Sequence, residues 1–355
     1  MTTEEQIAAI EEEIRKTPHH KGTDRHLGIL RARISRLKER QSEAGSGKSS
    51  GGGGYGVKKQ GDATVVLVGP PSAGKSTLLN ALTNAESKVA PYAFTTVSVI
   101  PGMMKYKDAY IQILDVPGLI EGAEEGKGRG REVISVVRGA DLLVLMSDVN
   151  RPEAIIRNKQ ALERNGIRVD KFPPNVLIQK SLTGGLNIKS NLNQELDRDT
   201  MKDIIWELGI KNADISLKEN VSVERLIDSF SKNRVYIPSI SVLNKAEEIN
   251  FNYPDTQYLL ISADQDINLD KFREAIWQKL NLSRIYLVRR DEEPNTKNPL
   301  IIKKGISLKE VAMKIGPDFA EGKKKAKIWG NGAKYEGQEV SMNHKSEEGM
   351  FVRFI

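Results

Sequence analysis

The apolar positions of this chain follow two periods. Near the start they recur every three to four residues: Ile7, Ala8, Ile10 and Ile14, then Leu27, Leu30, Ile34 and Leu37. Each set makes one stripe along a helix, which predicts helices over residues 3–15 and 23–41. Glu4 and Glu5 suit a first turn, and Pro18 separates the two helices. Arg31, Arg33, Arg36, Lys38 and Arg40 fall off the apolar stripe, so the pair reads as a helical hairpin with a basic outer side. The Gly/Ser-rich run 45–54 reads as a flexible linker. Short, mostly apolar runs follow at 63–68, 109–114, 142–146, 236–243 and 258–261, as expected of strands buried in a parallel sheet. Helices are expected at 76–83, 132–138 and 272–280, with one more strand at 97–100.

Spacing exposes an insertion. Asp115 and Asn244, each closing a strand, are 129 residues apart. Two strand–helix units of roughly 30 residues each need about half of that. The surplus is placed at 166–235 as a small α/β subdomain. It holds hairpin-like strands 175–180 and 186–190 around Thr183-Gly184-Gly185, then helices near 199–208 and 223–230. The C-terminal stretch 284–355 combines strands at 284–289, 326–329 and 350–355 with a helix at 307–315. Ser307 and Glu310 form a capping box for that helix. Strands around one helix suggest a ubiquitin-like β-grasp.

Charge adds a direction. The net charge is +7. Residues 1–60 carry +4 and residues 284–355 carry +5, against +1 for 166–235 and −3 for the remainder. Basic ends around a mildly acidic centre suggest a polyanionic partner, RNA above all. A solvated mixed-charge surface is the bland alternative. Cysteine is absent, which excludes disulfides and thiolate metal sites and suits a reducing, cytoplasmic setting. No apolar run is long enough to span a membrane, and the acidic first residues do not resemble a signal peptide. The four histidines have no zinc-like spacing.

The chemistry begins after the first apolar strand, at Gly69, Pro70, Pro71, Ser72, Ala73, Gly74, Lys75, Ser76 and Thr77. This is the G-x-x-x-x-G-K-[ST] phosphate loop in its strand–loop–helix setting. The glycines let backbone N–H groups curl around phosphate oxygens, and the helix N-terminus adds partial positive charge. Lys75 is expected on the β- and γ-phosphates and Ser76 on Mg²⁺. Gly45–Ser49 mimics part of such a loop but lacks a preceding strand. A threonine in Phe94-Thr95-Thr96 can place its hydroxyl on Mg²⁺. Asp115 at a strand end can hold a Mg²⁺-bound water, and the Gly118 N–H can meet the γ-phosphate. This D-x-x-G behind a phosphate loop is a GTPase-type switch pattern. The glycine-rich run 119–131 follows it.

Two further strand ends read as base-recognition loops. Asn244 would meet the purine N7 side, and the Lys245 stem would pack on the ring. Glu247 would accept the N1–H and N2–H₂ that guanine has and adenine lacks. Ser262 and Ala263 follow the last strand, and the Ala263 N–H would meet O6. A carboxylate left unpaired by adenine discriminates against ATP. Glu247 stands where most GTPases carry Asp.

Together these motifs resemble the developmentally regulated GTP-binding proteins of the Obg superfamily, in an archaeal form, and the resemblance covers essentially the whole chain. It extends to Asn150–Glu153, the glycine-rich segment 126–131, the insertion, and a C-terminal TGS domain that includes Trp329–Lys334. The fold class is therefore expected to be α/β: a P-loop GTPase domain (61–165 and 236–283), an N-terminal helical hairpin (1–60), the insertion (166–235) and a β-grasp TGS domain (284–355). The resemblance implies GTP hydrolysis, ribosome or rRNA association, Thr96 as the Mg²⁺ threonine and, as in eukaryotic members, a dedicated stabilising protein partner; the chain is expected to be a monomer. Leu119 stands where many GTPases carry a water-orienting glutamine, so related enzymes point to K⁺ as a second cation, with Ser72 able to offer an oxygen. Two readings stand side by side: a switch GTPase docked on ribosomal RNA, and an RNA-binding scaffold whose nucleotide orders the fold.

Overall fold

A computed structural model describes residues 2–18, 20, 22–45, 60–83, 90–91, 98–116, 129–248 and 257–355. Its elements begin α1 (Thr3–Lys16), α2 (Asp24–Gly45), β1 (Ala63–Val68), α3 (Lys75–Thr83), β2 (Ala90–Pro91), β3 (Ser98–Tyr106), β4 (Ala109–Asp115), α4 (Arg129–Arg138), β5 (Leu142–Asp148) and α5 (Glu153–Arg164). They continue β6 (Ile167–Val169), β7 (Val176–Lys180), β8 (Leu186–Ser190), α6 (Arg198–Glu207), β9 (Ala213–Leu217), α7 (Val223–Phe230), β10 (Val235–Ile237), β11 (Ser239–Asn244) and β12 (Leu259–Leu260). The chain ends α8 (Leu269–Lys279), β13 (Leu282–Leu287), β14 (Pro299–Lys303), α9 (Leu308–Ile315), α10 (Pro317–Ala320), β15 (Lys325–Trp329), β16 (Gln338–Ser341) and β17 (Met350–Phe354). Two compact units form: Met1–Gly53 with Gly166–Tyr236, and Gly54–Asn165 with Ile237–Ile355.

The second unit is built on a sheet of order β12-β11-β5-β1-β4-β3-β2. β12, β11, β5, β1 and β4 run parallel, so their carboxyl ends share one edge. β1 and β5 are buried along their whole length, which is why both are predominantly apolar. Leu78, Leu79 and Leu82 of α3 and Phe272, Ile276 and Trp277 of α8 share one core with this sheet. Leu282 and Ile301 belong to that same core. The C-terminal strands are thus fused to the parallel-sheet domain rather than tethered to it, and Arg284 reaches Asp108 at 3.6 Å and Glu348 at 2.9 Å. These strands make a mixed sheet of order β14-β13-β17-β15-β16, with Leu308, Val311 and Ala312 of α9 in its core. The capping box of Ser307 and Glu310 is present. This is the β-grasp arrangement; β14 and β16 are the strands that the apolar pattern alone did not show.

The first unit corrects two expectations. β7 and β8 do not form a hairpin: β9 lies between them, antiparallel to β7 and parallel to β8. The alternating Ala213-Asp-Ile-Ser-Leu217 buries every second residue on the helices, so it wins the central place. Nor does the hairpin keep all its cations on a free outer side. Arg25 pairs with Asp203, Arg31 with Glu224 and Arg33 with Glu207, while Arg36 donates to the Glu207 carbonyl at 3.1 Å. α2 therefore lies against α6 and α7, with Ala32 in their core and Gly28 where a Cβ would come within 2.8 Å of Ile204 Cδ1. The apolar run 236–243 is broken at Pro238, which has no N–H for a ladder. β10 pairs with β6, and β11 belongs to the parallel sheet.

Asp228 of α7 anchors the β6–β10 ribbon. It is 8% exposed and accepts from Arg168 at 2.5 and 2.7 Å and from Arg234 at 2.8 Å. Asp228→Ala leaves two largely buried guanidinium groups without their carboxylate. We expect a loss of about 3–5 kcal/mol of unfolding free energy by urea denaturation; a change below about 1 kcal/mol would mean that the arginines find water instead.

Candidate nucleotide site

The site lies at the shared carboxyl edge of the parallel strands, where open α/β sheets bind ligands. β1 ends at Val68 and hands the chain to the loop Gly69–Gly74. Gly69 and Ala73 are buried, Pro70 is half-buried, and Pro71 and Ser72 are exposed. Ser72 and Gly74 adopt left-handed φ values of 63° and 87°, which fold the loop back over the start of α3. At Gly74 a side chain would collide with the Asn244 amide, so glycine is needed for space as well as for φ. Lys75 is buried, and its ammonium donates to the carbonyls of Gly69 and Pro70, each at 3.0 Å. The lysine thus closes the loop on itself. Thr77 lies exposed in the first turn of α3.

β4 is the neighbour of β1 and ends at Asp115, paired in register with Leu67. Ser76 Oγ donates to Asp115 Oδ2 at 2.6 Å. Asp115 is 3% exposed, and its Oδ1 is buried without a hydrogen-bond partner among the described residues. A buried carboxylate oxygen left unpaired is costly. A hydroxyl and a carboxylate side by side suit a hard cation with oxygen ligands, so these residues fit Mg²⁺.

Asn244 closes β11 and is buried. Its Nδ2 donates to the Ala73 carbonyl at 3.0 Å, and its Oδ1 accepts from the Ala263 N–H at 3.0 Å. The phosphate loop, the β11 end and the loop after β12 are joined through this one amide. The pairing departs from the sequence expectation, because the Ala263 N–H here serves Asn244 rather than facing a base. Ser262 is buried, and its Oγ accepts from the Gln265 N–H at 3.0 Å, which shapes that loop. Lys245 has φ 63°, and Glu247 is exposed in a 3₁₀ turn over Ala246–Glu248. Thr96, Gly118 and Leu119 lie outside the described residues. Hydrogen bonds therefore join Lys75 to Gly69 and Pro70, Ser76 to Asp115, and Asn244 to Ala73 and Ala263, with Lys245, Glu247 and Ser262 adjoining them along the chain. The structure adds Asp148, the buried end of β5 opposite Asn244 in register, bound by Arg151. An apolar strand ending in a carboxylate, as β4 does at Asp115, was the signal for it.

This fold and these loops define a P-loop nucleotide-binding protein of the GTPase class. The family model described as "50S ribosome-binding GTPase" matches residues 64–180, and that of the C-terminal region of the same domain matches 183–282. An uncharacterised GTP-binding protein of Methanocaldococcus jannaschii is 44% identical over 100% of this chain and 93% of its own. Developmentally-regulated GTP-binding protein 1 of Xenopus laevis is 41% identical over 98% of both chains. Developmentally-regulated GTP-binding protein 2 of Homo sapiens is 37% identical over 99% of this chain and 98% of its own. The chain belongs to the developmentally-regulated GTP-binding protein family.

The Asn244 bridge carries a direct expectation. Asn244→Ala strands the Ala73 carbonyl and the Ala263 N–H in a buried place, at a cost of about 1–3 kcal/mol for each group that water does not reach. A clear fall in melting temperature by circular dichroism checks it; an unchanged melt would mean that solvent satisfies both groups.

Proposed function

We propose that this protein binds GTP and GDP with Mg²⁺, hydrolyses GTP to GDP and phosphate, and works as a switch on the ribosome. The observation that carries the reading is the Ser76–Asp115 contact at 2.6 Å, with the second Asp115 oxygen buried and unpaired, directly beside a closed phosphate loop. Mg²⁺ would supply charge neutralisation on the phosphates, held by Ser76, by Thr96 and, through water, by Asp115. Lys75 exchanges the Gly69 and Pro70 carbonyls for β- and γ-phosphate oxygens. The Gly118 N–H serves the γ-phosphate. Glu247 accepts the two donors peculiar to guanine, and Lys245 covers the ring. Because Asn244 holds the Ala263 N–H, contact with O6 requires that N–H to be shared, and Glu247 carries most of the discrimination.

GDP is therefore expected to outcompete ADP by more than about 100-fold in a displacement assay. Glu247→Ala should remove most of that preference, and Glu247→Asp should keep it. Lys75→Ala and Ser76→Ala should each abolish turnover of Mg²⁺-GTP. Equal affinity for GDP and ADP would sink the guanine reading. Wild-type turnover in the loop variants would make the loop structural. A wild type that binds GTP but never turns over, with or without ribosomes, favours the scaffold reading instead.

For the ribosome, the C-terminal module is the better docking element. It carries the +5 excess, whereas Arg25, Arg31 and Arg33 of the hairpin already face acidic partners. Phosphate contacts make such binding fall steeply with salt. Deleting the module would take Ile301 out of the shared core and leave Leu282 without its strand, so charge reversal is the cleaner probe. Lys323→Glu with Lys324→Glu is expected to lower co-sedimentation with ribosomes several-fold at matched salt and to leave GTP affinity within about twofold. Undiminished co-sedimentation would place the docking surface elsewhere.

A further inference from the structure

The end of β5 carries an ion pair that the nucleotide motifs leave without a role. Asp148 is 4% exposed and stands beside Asn244 in register. Arg151 Nε donates to Asp148 Oδ2 at 2.9 Å, its Nη2 reaches the same oxygen, and the Asn150 N–H donates to Oδ1 at 3.1 Å. Ser147 Oγ donates to the Arg151 carbonyl at 2.8 Å. The Val149 N–H donates to the Asn244 carbonyl at 3.1 Å, so this turn is stitched to the residue preceding Lys245.

Lys245 sits in the left-handed region at φ 63°, where a lysine costs about 1–2 kcal/mol. Two backbone bonds bracket it: Val149 N–H on the Asn244 carbonyl, and Ala246 N–H on the Ile261 carbonyl at 3.0 Å. These two bonds fix the backbone on either side of the lysine. The Asp148 carboxyl is held below its usual range, first by the Arg151 hydrogen bond and further by the Arg151 and Lys245 charges. Arg151 holds the buried carboxylate, and Lys245 follows Asn244, the residue beside Asp148 in register, so a second cation is carried next to that ion pair.

We propose that Arg151 is a positioning residue for Lys245: by occupying Asp148 it keeps the buried carboxylate from drawing in the Lys245 ammonium, and so leaves the lysine stem to cover a purine ring. This inference rests on the guanine-nucleotide reading above. A neutral side chain at 151 releases Asp148 to its second cation. Lys245 then turns from the base toward β5, and guanine affinity falls with the charge rather than with the fold of the turn.

The test is a set of full-length variants titrated with fluorescent GDP, with melting curves recorded alongside. R151K keeps the charge and is expected to bind within about twofold of wild type. R151M and R151Q are expected to bind about five- to tenfold more weakly, a coupling of ordinary size for one charge contact. R151Q matters because it keeps a donor for the turn while losing the charge, so wild-type affinity in R151Q overturns the inference even if R151M folds poorly. D148N with R151M removes the capturing carboxylate and is expected to recover most of the lost affinity. A purely structural turn predicts the reverse, with the double variant as weak as R151M or weaker. Failure of the wild type to prefer GDP over ADP would sink the guanine reading itself; a selective wild type with an equally tight R151M would sink only this inference.

Discussion

One buried carboxamide holds the nucleotide edge of this protein together. Asn244 uses its donor on Ala73 and its acceptor on Ala263, and so joins loops that leave three different strands. An aspartate there would face the Ala73 carbonyl with a negative charge and no donor. Gly74 lacks a side chain because the same amide fills that space. The phosphate loop and the base loops are therefore not separate devices placed side by side. A shift of Asn244 toward a purine would alter the partners of Ala73 and Ala263 together, which makes base occupancy felt in the backbone that faces phosphate.

The parts of the site that could be read from sequence are those whose chemistry is contiguous. Gly69–Thr77 carries its fold in its own turn residues, and Asp115 and Asn244 announce themselves as polar ends of apolar strands. What stayed hidden depends on who pairs with whom. Strands β7 and β8 flank a glycine pair and look like a hairpin, but their hydrogen bonds go to β9, more than twenty residues further on. A local turn signal cannot compete in view with a long-range partner whose only mark is a five-residue alternation. Asp148 was missed for a related reason: its partner Arg151 is near in sequence, but its importance comes from Asn244 on another strand.

Charge shows the same division. Counting residues put an excess at both ends of the chain, which is correct as a sum. The count cannot tell which cations are already matched. In α2 the arginines project toward Asp203, Glu207 and Glu224, each more than 170 residues further along the chain. Exposed pairs of this kind add little stability each, on the order of 0–1 kcal/mol. Their effect is on the field instead: a matched arginine offers a phosphate far less than a lone one. The same holds in the C-terminal stretch, where Arg284 faces Glu348 and Lys325 and Lys327 share Glu339, so a residue count overstates the free positive charge at both ends.

That module meets the nucleotide domain where Arg284 of β13 reaches Asp108 in the turn before β4. The same strand β4 ends at Asp115, beside Ser76. One buried strand of about 23 Å, at roughly 3.3 Å per residue, thus has the C-terminal module at its start and the candidate cation ligand at its end. Shared core packing at Leu282 and Ile301 stiffens the first of these contacts. A stiff strut passes on position but holds no choice between states, since packed interiors do not deform continuously. Any nucleotide-dependent change in docking must then originate in a bistable segment at an end of this strut.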